Sequence, residues 1–283
     1  MSMFIDPRTI VCGTFGGLEP AAAAFADQVD YWEDYTRRFF KSNGRAYTED
    51  DSNVVRWLSA DDRAPFVEMV RALLPSLSAR ADLSNIDLII LAHWLPDVHL
   101  GTSVTNFALH TLDLSEGLGF AISDRGASAP LFALHCIERY LTGPRNKALL
   151  MVMDQKHLLY RSELVDRVDP LNSASLVLVQ RGNEGPLRYR GYRRRHEIAR
   201  IGLAEHLRIM AQDLCLNSQA CTLIADAETA DRAGWPGPVL VQDKRLLCSA
   251  PFAVLADQGK PGNDYLIIVH DKFSLTGIGF SAD

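Results

Sequence analysis

The sequence predicts an α/β fold of two similar halves, in which helices lie buried between two sheets. Three observations carry that expectation. Apolar runs bounded by polar turns occur at 85–97 (NIDLIILAHWLPD) and 148–154 (ALLMVMD), as in parallel strands covered on both faces. Stretches with helical spacing separate such runs, the alternation that an α/β architecture requires. The order of residues 85–180 then recurs more compactly from 186 to the end.

In chain order, RTIVC (8–12) reads as a strand closed by the turn GTFGG. That turn resembles a phosphate cradle only superficially, because no Lys-Ser/Thr follows and GxGxxG is incomplete. Residues 20–41 form a helix with Phe25, Val29, Trp32, Tyr35 and Phe39 on one stripe, a core or subunit face. A polar loop spans 42–53. The helix of 61–80 carries Pro65 in its first turns, and Pro75 is expected to kink or end it. The strand of 85–97 and a helix at 101–113 follow. LGFAISDRGASAPLFALHCIERYL (118–141) then reads as a short strand through Phe120 and Ile122, a polar turn from Ser123 to Gly126, and an amphipathic helix. Strands are expected at 148–154, 173–180, 186–194, 220–226, 263–270 and 275–283, and helices at 196–214 and 248–257. The expected halves are residues 1–183 and 184–283, packed as one unit.

Composition narrows the function. At 283 residues the chain can bury a large core, with about 75% of the unfolded surface hidden. A net charge of −6 argues against a general nucleic-acid binder. Five cysteines, Cys12, Cys136, Cys215, Cys221 and Cys248, are an odd number without CxxC spacing, as in a reduced, cytoplasmic protein. The first residues lack a signal-peptide pattern, and no apolar run approaches the ~20 residues that cross a bilayer. Eight histidines without HxxxH or HExxH spacing give no metal site. No cofactor is expected.

The strand–turn–helix of 118–141 is where many α/β enzymes hold a nucleophile, because the helix N–H groups and dipole lower a thiol's pKa and stabilise an oxyanion. The junction residue here is Ala127, a methyl group that attacks nothing.

The segments IDLIILAHWLPD, GFAISDRGASAPLFAL, ALLMVMDQ with NSASLVLVQRG, and GNDYLIIVHDKFSLTGIGFSAD follow one another in an order that resembles the thiolase superfamily, specifically ketoacyl-ACP synthase III-like proteins. The resemblance implies a thiolase-like five-layer αβαβα fold with two pseudo-symmetric halves, commonly dimeric. It also implies Claisen condensation or acyl transfer on coenzyme A or carrier-protein thioesters through a catalytic Cys, His and Asn. Carried onto this chain, the Cys position matches Ala127, the His position falls near Ala225, and the Asn position near Arg245. His270-Asp271-Lys272-Phe273-Ser274 replaces the family's C-terminal glycine-rich loop.

Other residues are candidates for a replacement chemistry. Ser128 is an acyl acceptor only if a base activates it, and its plainer role is a small residue in the first helical turn. His270 and Asp271 form either an acid–base pair or a hydrogen-bonded loop. Arg188, Arg190, Arg193, Arg194 and Arg195 either dock carrier-protein or coenzyme A phosphates or form a solvated strand edge that discourages sheet pairing. The resemblance therefore implies a catalytically degenerate subunit, the non-catalytic partner of an active ketosynthase in a heterodimer, or a homodimer, in fatty-acyl, polyketide-type or other secondary-metabolite biosynthesis. The alternatives are an acyltransferase or hydrolase using Ser128, or an acyl-carrier-protein or acyl-CoA binding module. No nucleic acid or membrane partner is expected.

Overall fold

A computed structural model of the chain describes residues 2–20, 27–196, 202–271 and 274–282. Phe25 of the expected aromatic stripe, residues 197–201 of the expected helix at 196–214, and Lys272 and Phe273 lie outside the described residues.

The strands are β1 (Ser2–Ile5), β2 (Val11–Phe15), β3 (Leu88–Ala92), β4 (Leu118–Ile122), β5 (Lys147–Asp154), β6 (Asn172–Gly182), β7 (Leu187–His196), β8 (Thr222–Asp226), β9 (Val239–Gln242), β10 (Tyr265–His270) and β11 (Ser274–Ala282). The helices are α1 (Val29–Ser42), α2 (Val54–Ser59), α3 (Phe66–Ser78), α4 (Val104–Thr111), α5 (Ala129–Tyr140), α6 (Glu163–Val168), α7 (Leu203–Asp213), α8 (Ala227–Ala233) and α9 (Ala250–Gln258). One topology occurs twice. In the first half the order is β4-β3-β5-β6-β2, with β3 parallel to β4 and β5 and the last two pairings antiparallel. In the second, β9-β8-β10-β11-β7 repeats every pairing with the same sense. β1 joins them, pairing with β6 on one edge and β7 on the other.

Strand alternation divides the buried side chains into layers. Ile89, Leu91, Leu149, Met151 and Met153 meet Phe66, Met69, Leu73 and Leu77 of α3 and Ala108 of α4. The intervening Leu88, Ile90, Leu150 and Val152 face inward onto Leu131, Leu134 and Ile137 of α5 and Phe252 and Leu255 of α9. Ile224, Ile267 and Ile278 cover those same two helices from the other side. Leu223, Leu266 and Ile268 turn outward to Leu207 and Met210 of α7. The result is five layers, αβαβα, with α5 and α9 in the centre, as expected.

Several details differ from the expectation. Pro75 lies inside α3, which runs on to Ser78. Pro75 and Arg71, the residue whose carbonyl loses its N–H partner, are both exposed, so water can take the lost bond. The expected strand at 8–12 begins instead as a 3-10 turn, Pro7–Thr9, where Asp6 caps Arg8 N–H at 3.0 Å; β2 starts at Val11 and continues to Phe15 into the expected GTFGG turn, and β1 precedes both. β7 is not a sheet edge. It pairs with β11 along its length and with β1 at its start, so its arginines do not guard an open edge. Gly17 of the GTFGG turn serves a close approach, since a Cβ there would sit 2.3 Å from the Asp61 carbonyl oxygen. Among the described residues no helix is long and apolar enough to cross a membrane.

The central layer dominates the buried core, so its aliphatic residues should bear the stability. Leu134→Ala, at a fully buried α5 position, is expected to lower unfolding free energy by roughly 2–5 kcal/mol. Leu118→Ala, on the exposed end of β4, should cost under about 0.5 kcal/mol. Urea denaturation of the two variants checks the contrast.

Candidate active site

In both halves the chain crosses from one face of a sheet to the other at the carboxyl ends of the parallel strands. The β3-α4-β4 crossover lies on the outer face and β4-α5-β5 on the inner one, with α8 and α9 repeating this in the second half. Such reversals open a crevice at the strand ends where α/β sheets bind ligands.

Ala127 lies in a 3-10 turn, Gly126–Ser128, that leads into α5. Gly126 has φ +56, the left-handed region that glycine enters without penalty. Ala127 itself is half-buried against the central core. Its methyl sits where the first N–H groups of α5 would favour negative charge. Ser128 is buried and its hydroxyl donates to the Arg125 carbonyl at 2.7 Å.

A second turn mirrors this one. Ser128-Ala129-Pro130 opens α5, and Ser249-Ala250-Pro251 opens α9. Aligning the two places Gly126 opposite Leu247 and Ala127 opposite Cys248. Leu247 has φ 46 and ψ −119, a conformation that costs a non-glycine residue about 1–3 kcal/mol and persists only where its surroundings enforce it. Leu247 is buried with Leu95 and Leu158 and packs with Trp94 and Tyr160. The two turns touch, with the Cys248 thiol 3.6 Å from the Gly126 carbonyl oxygen. Burial, then the nearby Asp154 charge, push that thiol well above its usual range. It is held as an inert thiol rather than a thiolate.

Asp154, the last residue of β5, ties these parts together. One carboxylate oxygen accepts from Trp94 N at 2.8 Å and Leu95 N at 2.7 Å, and the other from Cys248 N at 3.0 Å. Burial pushes its pKa up to about 6, against the pull of these N–H donors. Beside it Ser249 donates to the Val152 carbonyl at 3.3 Å, and Ser173 to that of Leu246 at 3.0 Å.

The remaining sequence candidates lie apart from this centre. Ala225 is buried on β8 with its side chain in the outer core beside α7 and α8. The next residue, Asp226, caps α8 through Thr229, at 3.1 Å to its N–H and 2.7 Å to its hydroxyl. Arg245 lies in the 3-10 segment before α9 and pairs with Asp169 at 2.9 Å. His270 ends β10, and the Asp271 carboxylate accepts from Ser274 N–H at 2.7 Å and its hydroxyl at 3.0 Å. The arginine run is engaged with the end of α7. Arg193 donates to the Asp213 carbonyl at 2.9 Å, Arg190 to that of Leu214 at 3.5 Å, and Arg195 pairs with the Asp213 carboxylate. Arg194 donates to the Ser274 hydroxyl at 3.3 Å, and Arg188 lies over the Phe4 ring at 5.6 Å. Among the described residues no group of three His, Cys, Asp or Glu side chains could hold a metal ion.

Sequence reading did not single out Asp154 or assign a role to Cys248. Both had a signal, since an aspartate ends the otherwise apolar ALLMVMD and the Ser-Ala-Pro repeat marks the second turn.

No family model matches the chain, and no curated protein matches it in sequence. Solved structures do resemble it in fold. AbyA1, a tetronic acid condensing enzyme, superposes with a TM-score of 0.66 at 13% identity, over 99% of this chain and 100% of that one. The acyltransferase ChlB3 gives 0.64 at 15%, over 100% and 98%. The 3-oxoacyl-(acyl carrier protein) synthase III, FabH, from Pseudomonas aeruginosa PAO1 gives 0.63 at 13%, over 100% and 98%.

Removing the Asp154 carboxylate should be severe. Asp154→Ala strands three backbone donors and is expected to cost roughly 3–5 kcal/mol. Because its folded pKa is raised from 3.8 to about 6, Asp154 binds its proton more tightly in the native state. Its contribution is therefore greatest below about pH 4 and declines as pH rises through 6. The wild-type stability advantage over Asp154→Asn should narrow from pH 4 to pH 7, on the order of 2–3 kcal/mol. Urea midpoints of the pair across that range check the sign, and a widening gap would refute it. At these identities the resemblance is one of fold, and it gives the chain the thiolase-like αβαβα architecture that these condensing and acyl-transferring enzymes share.

Proposed function

We propose that the chain is a catalytically degenerate ketosynthase III-like subunit, the non-catalytic partner of an active ketosynthase in fatty-acyl, polyketide-type or other secondary-metabolite assembly. One observation carries the reading. The turn into α5 joins a strand to a helix N-terminus, with Gly126 at φ +56, the setting in which α/β enzymes hold a nucleophile, yet Ala127 supplies none. Nearby groups do not replace it. The Ser128 hydroxyl is committed to the Arg125 carbonyl, and the Cys248 thiol is buried and hard to ionise. Serine-based acyl transfer or hydrolysis needs a base on that hydroxyl, so the alternative draws no support from this geometry.

A partner role also needs a surface. β4 ends the sheet, leaving one row of its backbone groups without a strand partner. Exposed Leu118 lies on it, and the Phe120 ring packs 5.6 Å from that of the exposed Tyr140 of α5. This edge suits a second ketosynthase-like subunit, either an active one or another copy of this chain. Carrier-protein or acyl-CoA docking on Arg188, Arg190, Arg193, Arg194 and Arg195 would use the parts of those side chains not already bound to the end of α7.

Co-expression with an active ketosynthase III-like subunit, followed by purification, tests the reading. Obligate co-purification with condensing activity confined to the complex is expected, whereas thioester turnover by the isolated chain with an adduct on its own side chain would overturn it. Ala127→Cys alone is expected to give no malonyl-dependent condensation, because the sequence supplies no matching His or Asn. Product analysis by mass spectrometry checks this.

A further inference from the structure

Away from the paired turns, a cavity of about 200 Å³ opens between α1, α2 and the loop that follows β3. Its walls include Trp32, Trp57, Leu58 and Val98, and the last three are buried side chains packed in one cluster. The Trp32 and Trp57 rings meet edge-on, 5.0 Å apart at 62°. Trp32 Nε1 is occupied, donating to Gln28 at 3.2 Å, so that indole offers the hollow mainly carbon surface.

The charges beside the cavity are paired. Arg63, buried, lies over the Trp57 ring at 5.1 Å, and its Nε is 3.1 Å from one Glu19 oxygen. The other Glu19 oxygen meets His99 Nε2 at 2.7 Å. Arg63 and His99 both turn to Glu19, so an anionic guest would be desolvated without gaining a donor that is not already committed. Size narrows the guest further, because an apolar cavity of about 150 Å³ is large enough to take benzene. Stacked or edge-on aromatic contacts add to what area burial supplies.

We propose that this cavity is a binding site for a small neutral aromatic molecule or substituent, about the size of one substituted phenyl ring. The site is independent of the paired turns and of the partner role. Titration of the full chain with 3-fluorobenzyl alcohol, followed by fluorine NMR, tests it, with 3-fluorobenzoate as an anion of the same ring size. Saturable binding of the alcohol, about tenfold tighter than the benzoate, is expected. Gly101 lines the cavity, and a Cβ added there meets nothing within 4 Å. Gly101→Leu should therefore fill the space and abolish binding, while Gly101→Ala retains most of it. Leu100→Trp, at an exposed lining position, is a second filling variant should the first fail to fold. No saturable binding of the alcohol, equal affinity for the benzoate, or unchanged binding in folded filled variants would each overturn the proposal.

Discussion

A single buried carboxylate is the constraint on which the centre of this molecule depends. Asp154 is wholly shielded from water, and a charge there is tolerable only because three backbone N–H groups converge on it. Those donors come from different places. Two begin the loop after β3 and one belongs to the turn before α9, so the acid fixes parts of both halves against the end of β5. Aliphatic packing supplies most of the bulk stability, but it is indifferent to small sliding of helices against sheets. The carboxylate removes that freedom where α9 starts and where the loop after β3 begins.

The paired turns show how little of a helix-start scaffold depends on the side chain it carries. Backbone conformation at the turn into α5 is set by Gly126, by the strand before it and by the Pro130 start of the helix. None of these depends on the side chain at 127. Strand, turn and helix form around a methyl group at 127, so this architecture does not require a longer side chain there. The mirrored turn makes a complementary point. Leu247 holds a backbone conformation that glycine would adopt freely, and its burial with Leu95 and Leu158 holds it there.

Much of the architecture was legible in the chain because the central strands are buried on both faces and read as unbroken apolar runs. β3, β5, β6 and β10 fall in this class. What escaped were short or outer elements. β9, four residues with both valines exposed, offers only the short apolar run Val239-Leu240-Val241, too brief to announce a strand. α8 is one of the shorter helices, and Asp226, which caps it, also closes the expected strand at 220–226, so the strand's end masks the helix's start. The solvated-edge reading of the β7 arginines fails because alternation cannot say which strands flank a segment, and here β1 and β11 do. The partners of Asp154 lie 59 and 94 residues away, a separation that no local pattern encodes.

The seam made by β1 bears on how the protein is built in time. Phe4 pairs with Gln180 on one side and Arg188 on the other, so these few residues emerge from the ribosome long before either neighbour exists. Until then their backbone groups stay hydrated or find transient partners, and the seam between the sheets closes among the late events of assembly. A nascent chain of this design carries an unsatisfied strand through most of its synthesis, the kind of exposed segment that chaperones shield.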